Sequence, residues 1–138
     1  MKPRDLEGPI HRAILTYLRT QFPRAVVHHS ANSIGRSGLS IARQIASNTA
    51  MGTVKGFPDL TCLMPGGRVW FFEVKAPGNY PDKTQRALHE HLRGLGFRVA
   101  VVRSIEDVAA AISEWTGADS WTRNDYRDLR DKLVGGGE

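Results

Sequence analysis

Two apolar runs dominate the middle of the chain, Leu60-Thr61-Cys62-Leu63-Met64 and Val69-Trp70-Phe71-Phe72-Glu73-Val74, with Pro65-Gly66-Gly67 between them. Short runs of this composition, separated by turn residues, predict a β-hairpin. Side chains alternate across a strand, so Val69, Phe71, Glu73 and Lys75 share one face of the second run and Trp70, Phe72 and Val74 the other. Neither face is polar throughout. Such a strand must be covered on both sides, which makes the ionisable groups at its end require an explanation.

Helical spacing governs the flanks. Leu6, Ile10, Ile14 and Leu18 predict an amphipathic helix over about residues 5–20, with Pro9 confined to its first turn and Pro23 beyond its end. Ala25 to His29 reads as a short strand, in which adjacent His28 and His29 point to opposite faces, one toward the core and one toward solvent. Ser30 to Gly38 reads as a loop, and Leu39, Ala42, Ile45 and Thr49 mark a second helix closed by Gly52. After the hairpin, Asp82 opens a helix with the stripe Gln85, Leu88, Leu92 and Leu95, and His89 and His91 read as surface residues. A strand from Phe97 to Arg103 and a helix capped by Ser104 complete the pattern, the latter running through Ile105, Val108, Ile112 and Trp115. Residues 1–117 therefore read as one α/β domain with a mixed central β-sheet flanked by helices. Residues 118–138 mix charges of both signs around Trp121, Tyr126, Leu129 and Leu133, and read as a C-terminal helical extension with a flexible glycine-rich tail.

A chain of 138 residues with 41% apolar residues has room for one real core. The single Cys62 excludes a disulfide framework and reads as a small buried hydrophobe rather than a catalytic thiol. No secretory leader or membrane span is legible, so a cytoplasmic location is expected, with no membrane partner. Charge adds more. The net charge is +5, and no Asp or Glu occurs between Glu7 and Asp59, a segment that carries Arg12, Arg19, Arg24, Arg36, Arg43 and Lys55. Such a segment attracts a polyanion, so nucleic acid is the expected partner, with Arg36, Arg43 and Lys55 as its contacts.

Asp59 enters the first strand of the hairpin and Glu73 and Lys75 close the second. Two carboxylates at the ends of paired strands are hard oxygen ligands for Mg2+ or Mn2+, and the backbone carbonyl of Val74 completes a ligand set. Lys75 lies on the face of Glu73, where it can orient a water or stabilise charge on a phosphorus centre. Gln85 has two readings. It faces the sheet with the apolar stripe, and it also stands three residues after Asp82, the spacing of a capping box. Glu7 is equally open, either an acid at a helix N-terminus or an inward carboxylate beside the metal.

Gly56-Phe57-Pro58-Asp59-Leu60, Phe72-Glu73-Val74-Lys75-Ala76 and Gln85 together resemble the signature of the VRR-NUC nucleases, a branch of the PD-(D/E)XK phosphodiesterase superfamily. The resemblance runs from the first helix to about Trp115. It implies a restriction-endonuclease-like core, metal ligation by Asp59, Glu73 and Glu7, a catalytic role for Lys75 and Gln85, and an inward role for Glu7 in place of the dipole reading. It also implies a homodimeric endonuclease selective for branched DNA such as four-way junctions or flaps. A non-catalytic nucleic-acid-binding module on the same fold and an RNA-directed nuclease are the alternatives.

Overall fold

The computed structural model describes residues 5–30 and 38–117, and the expectations placed on Arg36 and on the C-terminal extension lie outside them. In chain order the elements are α1 (Glu7–Gln21), β1 (Val26–His29), α2 (Gly38–Ala50), β2 (Leu60–Leu63), β3 (Val69–Val74), α3 (Lys83–Gly94), β4 (Arg98–Val102) and α4 (Ile105–Thr116). The strands form one four-stranded mixed sheet in the order β1-β2-β3-β4. β1, β2 and β3 pair antiparallel, whereas β3 and β4 are parallel and are joined through α3, the kind of crossover a parallel pair requires. The expected α/β architecture is therefore the observed one.

The hairpin register follows from its turn. Gly66 and Gly67 adopt φ values of 82° and 77°, which side chains other than glycine rarely tolerate, and they return the chain so that Leu63 faces Val69 and Leu60 faces Phe72. Alternation then sorts β3 into two layers. Trp70, Phe72 and Val74 join Ile14 and Leu18 of α1 and Val108 of α4 in the main core, with Trp115 packed on Trp70 and Phe72. Phe71 turns the other way onto Leu92 of α3 and Val99 of β4, flanked edge-to-face by Phe57 and Phe97. Each such side chain contributes roughly 1.5–3 kcal/mol of burial, so both covered faces are needed to hold β3.

Two helix starts are fixed by side chains. Ser104 Oγ accepts the Asp107 N–H, and Asp107 Oδ2 in turn accepts the N–H of Arg103, so the end of β4 and the start of α4 form one stapled corner. Asp82 caps α3 in the same way through the N–H of Gln85. Cys62 is fully buried, and burial pushes its thiol up to about 12, which makes it a core group and not a nucleophile.

Three expectations need correction. Leu95 is 61% exposed, because it is the C-cap of α3, beyond the part of the helix that packs on the sheet. Neither His28 nor His29 is buried, because β1 is an edge strand whose buried position is Val27. His89 is not a surface residue but is 2% exposed. The described side chains of α2 are exposed apart from a half-buried Ile41, so its apolar spacing does not enter the core. No helix among the described residues is long and apolar enough to cross a membrane.

Candidate active site

The hairpin register continues one residue beyond the Leu60–Phe72 pair and brings Asp59 opposite Glu73. Three elements hold Asp59 there. Its carbonyl accepts the Ser30 N–H at 2.8 Å, which ties it to β1, and its Oδ2 accepts the Val74 N–H at 2.8 Å. Behind it, Gly56 has a φ of 82°, and a Cβ there would lie 3.2 Å from the Gln85 backbone nitrogen, so glycine lets the Gly56-Phe57-Pro58 approach run close against the start of α3. Burial and then the neighbouring charge of Glu73 push the Asp59 carboxyl up to about 6, with the Val74 N–H opposing them.

Glu73 is only 1% exposed, although it is a carboxylate in a strand. Its Oε1 accepts a hydrogen bond from Gln85 Nε2 at 3.0 Å and lies 3.8 Å from Lys75 Nζ. Its Oε2 lies 3.6 Å from His89 Nε2, beyond hydrogen-bonding distance, and both atoms are buried without a hydrogen-bond partner. Buried polar atoms left in this way cost about 1–3 kcal/mol each. The pocket is therefore short of positive charge or donors at one defined oxygen.

Gln85 satisfies both of its readings at once. Its Oε1 accepts the Asp82 N–H at 2.9 Å, which completes the capping box, while its Nε2 donates to Glu73. The two ends of one amide thus couple the start of α3 to the end of β3. His89 follows one turn later on the same helix face, as the i,i+4 spacing from Gln85 dictates. That relation was present in the sequence, but it is masked when His89 is compared only with His91.

On the other side of the sheet, α1 supplies a similar pair. Glu7 is half-buried, and its carboxyl is raised first by burial and then by the charge of Asp59, with Lys75 opposing, so it stands in the field of this same cluster. One turn on, His11 is pushed down by burial and by His29, whose ring lies 4.4 Å from its own, and the His11 Nε2 is buried without a partner. The structure thus gathers Asp59, Glu73, Lys75, Gln85 and Glu7 at one end of the sheet and adds His89 and His11, which the sequence reading missed. No group of three or more His, Cys, Asp and Glu side chains among the described residues is placed to hold a metal ion. Arg43 and Lys55 are exposed, on α2 and just after it.

Comparison with known proteins places this geometry in context. The family model described as the VRR-NUC domain matches residues 4–106. The chain is similar to a curated protein of Acyrthosiphon pisum secondary endosymbiont phage 1 named "Putative nuclease p44", with 40% identity over 50 residues, 36% of this chain and 54% of that one. The match thus spans about half the length of that relative. A solved structure described as a VRR-NUC domain shares 27% identity and a TM-score of 0.55, covering 80% of this chain and 97% of the other. A second, a VRR-NUC domain protein, has a TM-score of 0.60 at 20% identity over 83% and 89% of the two chains, and bears on the fold alone.

Proposed function

Because the chain belongs to the VRR-NUC family, we propose that it is a divalent-metal-dependent nuclease that hydrolyses DNA phosphodiester bonds, with Asp59, Glu73, Lys75 and Gln85 at the reacting phosphate and Glu7 beside them. The observation that carries this reading is the buried Glu73 Oε2, which has no hydrogen-bond partner and stands next to an Asp59 whose carboxyl is pushed up to about 6. Two carboxylates forced together with one oxygen unsatisfied suit a hard cation, which relieves both strains.

Asp59 and Glu73 would hold Mg2+ or Mn2+, with the carbonyl of Val74 as a backbone oxygen. A residue's N–H and C=O project to the same side of a strand, and the Val74 N–H already faces Asp59. One or two carboxylates with the remaining positions left to water and phosphate oxygens are usual for Mg2+, so the Asp59–Glu73 pair needs no third such side chain. When bound, the cation supplies charge neutralisation at the phosphate and a more acidic water.

The protein's own groups divide the remaining work. Gln85 occupies Glu73 Oε1 and leaves Oε2 as the free oxygen. Lys75, 17% exposed, keeps its ammonium near the carboxylate and within reach of solvent, placed to donate to the attacking water or to a phosphate oxygen as charge develops. Glu7 adds a carboxylate on the α1 side, which favours cation entry.

The test is incubation of the full chain with supercoiled plasmid, a four-way junction, a flap duplex and single-stranded RNA, in Mg2+, in Mn2+ and in EDTA. Cleavage of DNA that stops in EDTA is expected. Activity that survives the chelator would sink the metal mechanism, and binding without cleavage of any substrate would favour a non-catalytic module. Preference for RNA would move the substrate assignment to the RNA-directed alternative.

Selectivity for branched DNA and a homodimeric state form the finer part of the proposal. One small domain offers little surface to a junction, whereas two sites related by a dyad match a junction's symmetry. The acid-free segment supplies the electrostatic side. Replacing exposed Arg43 and Lys55 together with alanine is expected to weaken DNA binding and reduce the slope of log K against log salt by about 2, close to one per lost phosphate contact. A fluorescence-anisotropy salt titration measures it, and an unchanged slope would place the DNA elsewhere.

A further inference from the structure

Residues 76–81 link Lys75 at the end of β3 to the cap of α3, and they carry Tyr80, which is 75% exposed. An aromatic ring that open usually sits on a loose surface loop; this one does not. Asn79 N–H donates to the Ala76 carbonyl at 3.0 Å and closes the turn. Arg103 donates to the Asn79 carbonyl at 2.7 Å from one side, and Arg86 donates to the Pro81 carbonyl at 2.8 Å from the other. Arg103 is itself anchored, since its N–H bonds Asp107 Oδ2 at the stapled start of α4. Two arginines therefore clamp one short loop by its carbonyls.

The guanidinium carbon of Arg103 lies 5.0 Å from the centre of the Tyr80 ring. Neither Arg103 nor Arg86 has a carboxylate ion-pair partner among the described residues, so neither guanidinium is held in a salt bridge. The platform is also tied to the chemistry. Lys75 N–H bonds the Val102 carbonyl, which sets Arg103 beside the end of β3, and the Asp82 that follows the loop is bonded to Gln85, which holds Glu73. Tyr80 lies five residues from both Lys75 and Gln85 along the chain.

An open aromatic ring on a rigid mount, backed by one guanidinium and flanked by a second, offers a stacking surface beside charges that suit the adjoining phosphates. Stacking on a protein ring requires a base whose face is free, which a continuous duplex does not provide. We infer that Tyr80 and Arg103 form a subsite that stacks an unpaired nucleobase next to the phosphate held by Asp59, Glu73 and Lys75. This inference rests on the nuclease reading and deepens it, because it makes an unpaired nucleotide near the cut the feature that the site recognises. It also gives selectivity for branched or flapped DNA a local cause that does not depend on a dimer.

The experiment separates the subsite from the catalytic reading by measuring binding without cleavage. Full-length protein carrying Lys75→Ala is titrated in Ca2+ against a flap duplex with 2-aminopurine at the unpaired position, and against the fully paired duplex of equal length. Tyr80→Ala in that background is expected to weaken flap binding by roughly 5- to 100-fold and to abolish the 2-aminopurine quench, with duplex binding changed by less than about 2-fold. Tyr80→Phe, which keeps the ring, should restore both. Equal loss on the two substrates, no loss on either, or failure of Tyr80→Phe to restore the quench would overturn the subsite. Cleavage by the parent protein, scored separately in Mg2+, decides the nuclease reading; either result can fail while the other stands.

Discussion

Replacing Lys75 with alanine is expected to lower the rate of phosphodiester cleavage by about 10²–10³-fold while leaving DNA affinity within a few-fold of the parent. The reason is the position of the ammonium. It lies 3.8 Å from Glu73 Oε1, too far for a tight ion pair, on a side chain that is 17% exposed. A cation held loosely against a buried carboxylate gains little in the ground state and much when negative charge appears nearby, so its loss should fall on the chemical step. Single-turnover cleavage at saturating protein gives that step directly. A matching drop in affinity would mean that Lys75 binds the substrate rather than the transition state, and an unchanged rate would remove it from the mechanism.

The second large effect concerns the two carboxylates in the absence of metal. The Asp59 carboxyl is raised from 3.8 to about 6 in the folded protein, by burial and by Glu73. A carboxyl whose folded pKa lies above its unfolded value favours folding when it is protonated, below about pH 4, and that advantage is lost as pH rises through about 6. At pH 8 in EDTA, ionised Asp59 therefore costs about 1–3 kcal/mol. Asp59→Asn should raise the apparent Tm under those conditions by about 3–10 °C, since an amide oxygen can still accept the Val74 N–H. Mn2+ should reverse the order, stabilising the parent by about 2.7 kcal/mol at a hundredfold excess over Kd and leaving Asp59→Asn unmoved. His89→Gln, at a buried position 3.6 Å from the free oxygen of Glu73, should weaken Mn2+ binding about 10- to 100-fold, read as the Mn2+-induced Tm shift relative to the same variant in EDTA. A Mn2+ shift that persists in Asp59→Asn would remove Asp59 from the ligand set.

Both predictions concern groups that the sequence brought into view unequally. Asp59, Glu73 and Lys75 were legible because they lie on one hairpin, where period-2 alternation and a Pro-Gly-Gly turn fix who faces whom over a few residues. Gln85 was legible as a position but not as a choice, since capping and an inward role had equal support. The structure removes the choice by using the carbonyl end of the amide for the cap and the nitrogen end for Glu73. His89 was misplaced although its spacing from Gln85 was available, because a histidine among charged neighbours reads as solvated until the buried face of its helix is known. Glu7 and His11 depended on how α1 is rotated and seated against the sheet.

The apolar spacing of α2 marks the other limit. It predicted the helix correctly, yet the described side chains of that helix are exposed apart from half-buried Ile41. Periodicity states which face is apolar; it does not state whether a neighbour covers it.

The sequence by itself determined the secondary structure of the core, the hairpin, and the three hairpin residues at the candidate site, all of which follow from turn chemistry and side-chain alternation between near neighbours. Only the tertiary structure decided that α3 brings Gln85 and His89 to Glu73, that α1 brings Glu7 and His11 within the field of Asp59, and that Arg103 clamps the loop bearing Tyr80. Those meetings join residues far apart in the chain, and they depend on Trp70 and Phe72 packing with α1 and α4 on one face of β3 while Phe71 packs with α3 on the other.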